Sequence, residues 1–429
     1  MRKSLLIPII VLVCLGLFIL FVFVLPRHQE EESVLAPWNQ KPITHLTIVH
    51  QQDEIVLTLQ EQPTTQWYIT SPRRALAEYG TVNQILQGLA AVGKYATPVE
   101  DPDPVAHGLD KPWLQISLGD ATERTLLSLG KQTFNGRHYY MSLDDQTEYL
   151  VPTQVIDTFA SAGLSFTTLR SKSIVHFYPW NVVSYSLDGL GPETVVLKKL
   201  DDRTWGLEAP YRDLAEYTRA SDIVWEYVNL RATDFFDDVE DLGEYSLDEP
   251  ALTVTFQLQD GTSTTVLVSS KIEAENGFYL KTSDSNTVYF VRKYSILPLE
   301  LTVDELTMST LTRFSPGDLD EVAFRDETGE WIFVRAKDAW YCGTEEVSLE
   351  TMTGLLNSLQ GLAVEKADSP SLGQTKWEIR LDPTADPTPI VITIDENYRT
   401  RVTSRSRILQ LDPQAVEALM AQFKGLGGS

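Results

Sequence analysis

Cysteine is almost missing from this sequence: there are two, Cys14 and Cys342. Cys14 sits inside an apolar run and Cys342 stands alone in the remainder. One would lie in lipid and the other in a folded domain, which excludes a disulfide between them. A chain with no disulfide framework must be held by core burial, and 429 residues suffice for that. Histidine is scarce too: His28, His45, His50, His107, His138 and His176 show no His-x-x-x-His spacing, and no Cys-x-x-Cys accompanies them. Basic charge is short, with 35 Lys and Arg against 60 Asp and Glu, a net charge of −25. Such a surface repels nucleic acid phosphates and anionic headgroups. Also lacking are a Gly-x-Ser-x-Gly nucleophile elbow, a phosphate-cradling glycine loop and a dinucleotide fingerprint.

There is one long apolar run. Leu5 to Leu25 carries no charge and is interrupted only by Pro8 and Gly16. At about 1.5 Å per residue it spans roughly 30 Å, the thickness of a bilayer core. No small-residue cleavage site follows Leu25, which disfavours a cleaved signal. Val13 before Cys14 disfavours a lipoprotein signal. The expectation is an uncleaved single-pass anchor in the cell membrane. Arg2 and Lys3 before the run, against Arg27 after it, favour a cytoplasmic N-terminus and an extracytoplasmic body.

What the remainder does have is self-similarity. Trp67-Tyr68-Ile69-Thr70-Ser71-Pro72 returns as Trp205-Gly206-Leu207-Glu208-Ala209-Pro210. Gly108-Leu109-Asp110-Lys111-Pro112 returns as Ser246-Leu247-Asp248-Glu249-Pro250, at the same displacement. Before each tryptophan stand two strand-like runs, Ile43 to Val49 and Ile55 to Leu59, then Val182 to Leu187 and Thr194 to Leu200. After each stands an amphipathic helix. Thr81 with Gln84 predicts a capping box for the first, with Val82, Ile85, Leu86, Leu89 and Val92 as its stripe. Ser221 is the expected N-cap of the second. Asp260-Gly261 predicts a tight hairpin. A third copy opens with Leu319 to Phe324 and Trp331 to Val334, places Trp340 where Trp205 stands, and starts a helix at Ser348. It lacks the Leu-Asp-x-Pro corner and reads as shortened, as terminal repeats often are.

The expected fold is therefore α+β: a transmembrane helix followed by three tandem repeats of antiparallel strands with amphipathic helices. The expected boundaries are a cytoplasmic N-terminus at 1–4, the anchor at 5–25, a linker at 26–42, and repeats at 43–180, 181–314 and 315–429. The anchor, the Trp-x-x-x-x-Pro, the helix, the (Gly/Ser)-Leu-Asp-x-Pro corner and the Gly-x-x-Tyr hairpin together resemble the bacterial family of domain of unknown function 4340. That resemblance implies a single-span envelope protein, commonly encoded beside ABC-type export permeases and auxiliary proteins of gliding-type transporters. It assigns no catalytic residue.

The residues themselves give the same expectation: no catalytic, cofactor-binding or metal site. His107 precedes the first corner, but its counterpart in the second copy is Tyr245. The clusters Glu100-Asp101-Pro102-Asp103 and Asp234 to Asp241 lack EF-hand spacing and read as solvated loops. Trp67, Trp205 and Trp340 read as core, Cys342 as a small core residue, and Asp110 and Asp248 as bonding the corner amides. The leading reading is a non-enzymatic accessory or scaffold that binds envelope proteins, an ABC-type permease among them. A module for cell-wall sugar or lipid is the alternative, and an envelope hydrolase is third.

Overall fold

The computed structural model describes residues 33–35, 38, 41–50, 53–60, 65–160, 163–384 and 388–427. The expected anchor, Leu5 to Leu25, lies outside them. Among the described residues no helix is long and apolar enough to cross a membrane.

The chain divides into two compact units, with the boundary between Lys172 and Ser173. Unit 1 is built on a sheet of nine strands: β1 (His45–His50), β2 (Asp53–Gln60), β3 (Gln66–Ser71), β4 (Ala75–Leu76), β5 (Thr97–Pro98), β6 (Leu114–Gly119), β7 (Arg124–Gln132), β8 (His138–Leu143) and β9 (Thr147–Pro152). Their order across the sheet is β4-β3-β2-β1-β6-β7-β8-β9-β5, and every pairing is antiparallel. Two meanders thus join at β1 and β6, with Ile48 opposite Ile116. Period-2 alternation sends Leu46, Ile48, Ile55, Leu57, Trp67, Ile69, Leu114 and Ile116 to one buried face.

Helix α1 (Tyr79–Tyr95) leaves β4 and covers that face with Val82, Ile85, Leu89 and Val92. Leu86, the remaining member of the expected stripe, is only partly buried. Helix α2 (Thr153–Ala160) packs beside α1, and Phe159 lies so close to Gly88 that a Cβ there would stand 2.5 Å from its ring. The start of α1 corrects the sequence reading. Its N-cap is Glu78, with no side-chain cap bond. Gln84, expected in a capping box, instead donates to the Thr158 carbonyl at 2.7 Å. A backbone bond from Glu78 N to Leu169 O fixes the chain before Thr81 is reached.

Unit 2 contains two further nine-stranded sheets with the same strand order. The helix α3 (Tyr217–Asn229) buries Ala220, Ile223, Val224 and Tyr227 on the second sheet. It begins at Glu216, not at Ser221; the Ser221 hydroxyl accepts a bond from Trp205 Nε1 at 3.2 Å. On the third sheet α4 (Leu349–Gln360) is capped by Ser348, which accepts from Thr351 N at 3.1 Å, and α5 (Pro413–Leu426) closes the chain. The third copy is not shortened in its sheet: all nine strands are present. The loss falls on the corner, residues 367–374 against 237–251 in the second copy. The tryptophans Trp67, Trp205 and Trp340 are 7, 4 and 1% exposed and belong to the three cores. Cys342 packs partly buried against the third core, where burial pushes its thiol pKa up.

Candidate functional site

Ionisable groups are brought together below the surface at the corners that follow the long helices and at a seam between the second and third copies.

In the first copy the corner is closed by the backbone. The amides of Leu109 and Asp110 donate to the Pro104 carbonyl at 2.7 and 3.3 Å. Asp103 Oδ1 accepts from Ala106 N at 3.0 Å. The His107 imidazole lies flat on the Tyr140 ring, centroids 3.7 Å apart, planes 7° from parallel. Its Nδ1 is 2.6 Å from Glu148 Oε2. Glu148 is buried, and its other oxygen meets no donor among the described residues. A carboxylate that orients an imidazole is one part of acid–base machinery.

The second copy builds the same shape without either ionisable group. Leu247 N donates to Leu242 O at 3.0 Å, and Asp241 Oδ1 accepts from Gly243 N at 2.8 Å. Tyr245 replaces His107 and meets Tyr279 edge-on at 5.1 Å. Val288, which precedes Tyr289 as Glu148 precedes Tyr149, replaces the carboxylate. In the third copy Ser371-Leu372-Gly373 lacks the Asp and Pro of the Leu-Asp-x-Pro corner, and Asp395 reaches it from a strand end. Its Oδ2 accepts from Gly373 N at 2.7 Å and from Arg399 Nε at 2.7 Å. Burial alone would raise the Asp395 pKa; the bonds from Gly373, Arg399 and Asn397 outweigh it and hold the carboxyl below the usual range.

Two expectations change here. Asp110 and Asp248 are exposed, and the carboxylates that bond the corner amides are Asp103 and Asp241. An aspartate oxygen reaches amides two or three residues after it, so the group that precedes the turn makes the bond. The second acidic cluster is also not all solvated loop: Asp234–Phe236 is a strand paired with 288–290, and Asp237 accepts from Thr287 Oγ1 at 2.7 Å. Among the described residues no group of three or more His, Cys, Asp and Glu is placed to hold a metal ion.

The seam was not expected. Asp213, in the two-residue strand Asp213–Leu214, is fully buried. The tip of the last hairpin, Thr403 to Ile408, inserts Arg405 beside it. The Arg405 Nε donates to Asp213 Oδ1, one terminal nitrogen donates to Thr310 O at 2.6 Å, and the other to Met308 O at 2.8 Å. Arg407 adds a bond to Asp213 Oδ2 at 3.0 Å and stacks over Tyr211 at 4.0 Å. Ser406 N donates to Arg212 O at 2.9 Å. Burial pushes the Arg405 pKa down and Asp213 pulls it back up. The available signal was Arg405-Ser406-Arg407, a basic tip between two strands of an acidic protein.

Three copies of one antiparallel sheet, sharing shape and not reactive residues, define a tandem-repeat α+β protein. The family described as a domain of unknown function (DUF4340) matches residues 67–250 and 236–371, and the chain belongs to it. No curated protein and no solved structure matches the chain.

Proposed function

We propose that this is a membrane-tethered, extracytoplasmic accessory protein that binds other envelope proteins and performs no chemistry of its own. The observation that carries this reading is the exchange of polar groups between copies. His107 and Glu148 give way to Tyr245 and Val288 on an otherwise repeated corner, so what duplication kept is packing. The tether in this reading is Leu5 to Leu25, and the family resemblance makes an ABC-type export permease the first partner to try. Gentle detergent extraction, followed by affinity purification of the full chain from cells that express the neighbouring permease, tests it. Co-purification of the permease is expected. Recovery of the chain alone, or its release from membranes by alkaline carbonate, would overturn the proposal.

A further inference from the structure

Of the nine tryptophans, Trp180 and Trp225 are largely exposed, at 59 and 49%. They line one pocket of about 160 Å³ in the second copy, together with Trp205, Tyr217, Lys199 and Asp202. Trp180 stacks on Tyr178, centroids 4.7 Å apart and planes 6° from parallel, which fixes a flat aromatic platform at the mouth. Trp205 is held from below through its bond to Ser221. Lys199 Nζ pairs with Asp202 Oδ1 at 3.0 Å on the rim.

The fold does not require these rings. Pro179–Asn181 and Pro316–Asp318 are the same 3-10 turn before the same strand in two copies, and Gly317 stands in the second turn where Trp180 stands in the first. Counting from the helix N-caps, the places of Trp225 in the other copies hold Gln87 and Asn357, both exposed. Large rings kept in water without a packing need point to a ligand.

We infer that this pocket binds one neutral pyranose ring of a glycan. The volume admits a single ring and falls below the roughly 300 Å³ of sites that enclose a whole small molecule. Stacked flat rings match the C–H face of a sugar, and the Lys199–Asp202 pair offers a donor and an acceptor to its hydroxyls. That pair cancels its own charge, and the −25 of the whole chain repels acidic polymers.

The test is a tryptophan-fluorescence titration of the full chain in a sugar-free detergent with chitotriose, cellotriose, maltotriose and trigalacturonate. At least one neutral trisaccharide is expected to bind saturably, and trigalacturonate is not. The double variant Trp180→Gly, Trp225→Gln takes its residues from the sister copies, and an unchanged melting curve verifies its fold. Its affinity should fall about 10-fold, as loss of stacking implies. No binding of any neutral trisaccharide, or binding unchanged in the variant, overturns the assignment. So does a blank titration in which the variant instead loses a co-purifying membrane protein.

Discussion

Unit 1 and unit 2 place different residues at one point of the same sheet. In unit 1 the short fourth strand opens with Ala75, opposite Ile69. In the second copy, within unit 2, it opens with Asp213, opposite Leu207. Alanine asks nothing of its surroundings. A fully buried aspartate must be paired, and its partner Arg405 lies 192 residues away in the third copy. One residue at a sheet edge therefore ties the second copy to the third.

The seam is where this comparison breaks most visibly. Arg405→Met leaves the Asp213 carboxylate buried with the partly exposed Arg407 and the Leu214 amide as partners, and strips a donor from the carbonyls of Met308, Thr310 and Leu311. Loss of one member of a buried pair costs about 3–5 kcal/mol. Hydrogen exchange read peptide by peptide should show the loss in residues 173–427 and none in unit 1. Adding Asp213→Leu should restore most of it, since apolar replacement of both partners is often neutral. Equal loss of protection in both units would refute the assignment.

A second variant strikes unit 1. Gly88 gives α2 its approach, and the same place on α3 holds Glu226, which accepts from Leu297 N at 2.9 Å and pairs with Lys293. Gly88→Val forces Phe159 aside, and overpacking of this kind costs about 1–3 kcal/mol. Exchange should quicken in α1 and α2 alone. Phe159→Leu in the same chain should recover part of the loss, and a Gly88→Val protein as stable as the parent would sink the packing argument.

Helix starts show how far the sequence could be read. Ser348 was legible because its hydroxyl bonds an amide three residues on, a contact wholly within the segment. Thr81 and Ser221 offered the same local pattern, but both helices begin earlier, where the amides of Glu78 and Glu216 donate to the carbonyls of Leu169 and Leu306. Those partners lie some ninety residues distant, so no window of sequence contains them. The apolar stripes and the repeat offset survive because they are periodic. The seam was hidden because Asp213 and Arg405 are ordinary residues until the fold joins them, and the strands β4 and β5 because two residues carry no period. Ser348→Ala should cost about 1 kcal/mol, as lost N-caps do, and Thr81→Ala should stay within about 0.5 kcal/mol of the parent. Urea unfolding of both variants decides this, and a larger effect at Thr81 would reinstate the capping box.

The smallest expected effect concerns a feature both units share. Asp120 Oδ1 accepts from Thr122 N, Thr122 Oγ1 and Glu123 N at 2.7 to 2.8 Å, and Asp260 accepts twice from Thr262 across Gly261, which sits at φ +84°. The Thr122 hydroxyl, then the amides of Thr122 and Glu123, lower the Asp120 pKa to about 2; Thr262 lowers that of Asp260 in the same way. An unfolded aspartate titrates near 3.9, so the folded state binds its proton more weakly. The carboxylate's contribution is then present above about pH 4 and fades as pH falls through about 2. Asp120→Asn should be slightly less stable than the parent at pH 7, and the two should converge near pH 2. Carboxyl carbon shifts followed by NMR give the direct reading: Thr122→Val should move the Asp120 midpoint up toward the usual carboxylate range and leave Asp260 in unit 2 where it was. A midpoint near 4 in the parent chain would mean that the turn is held by its backbone alone, and the likeness between the two hairpins would then be one of shape without shared chemistry.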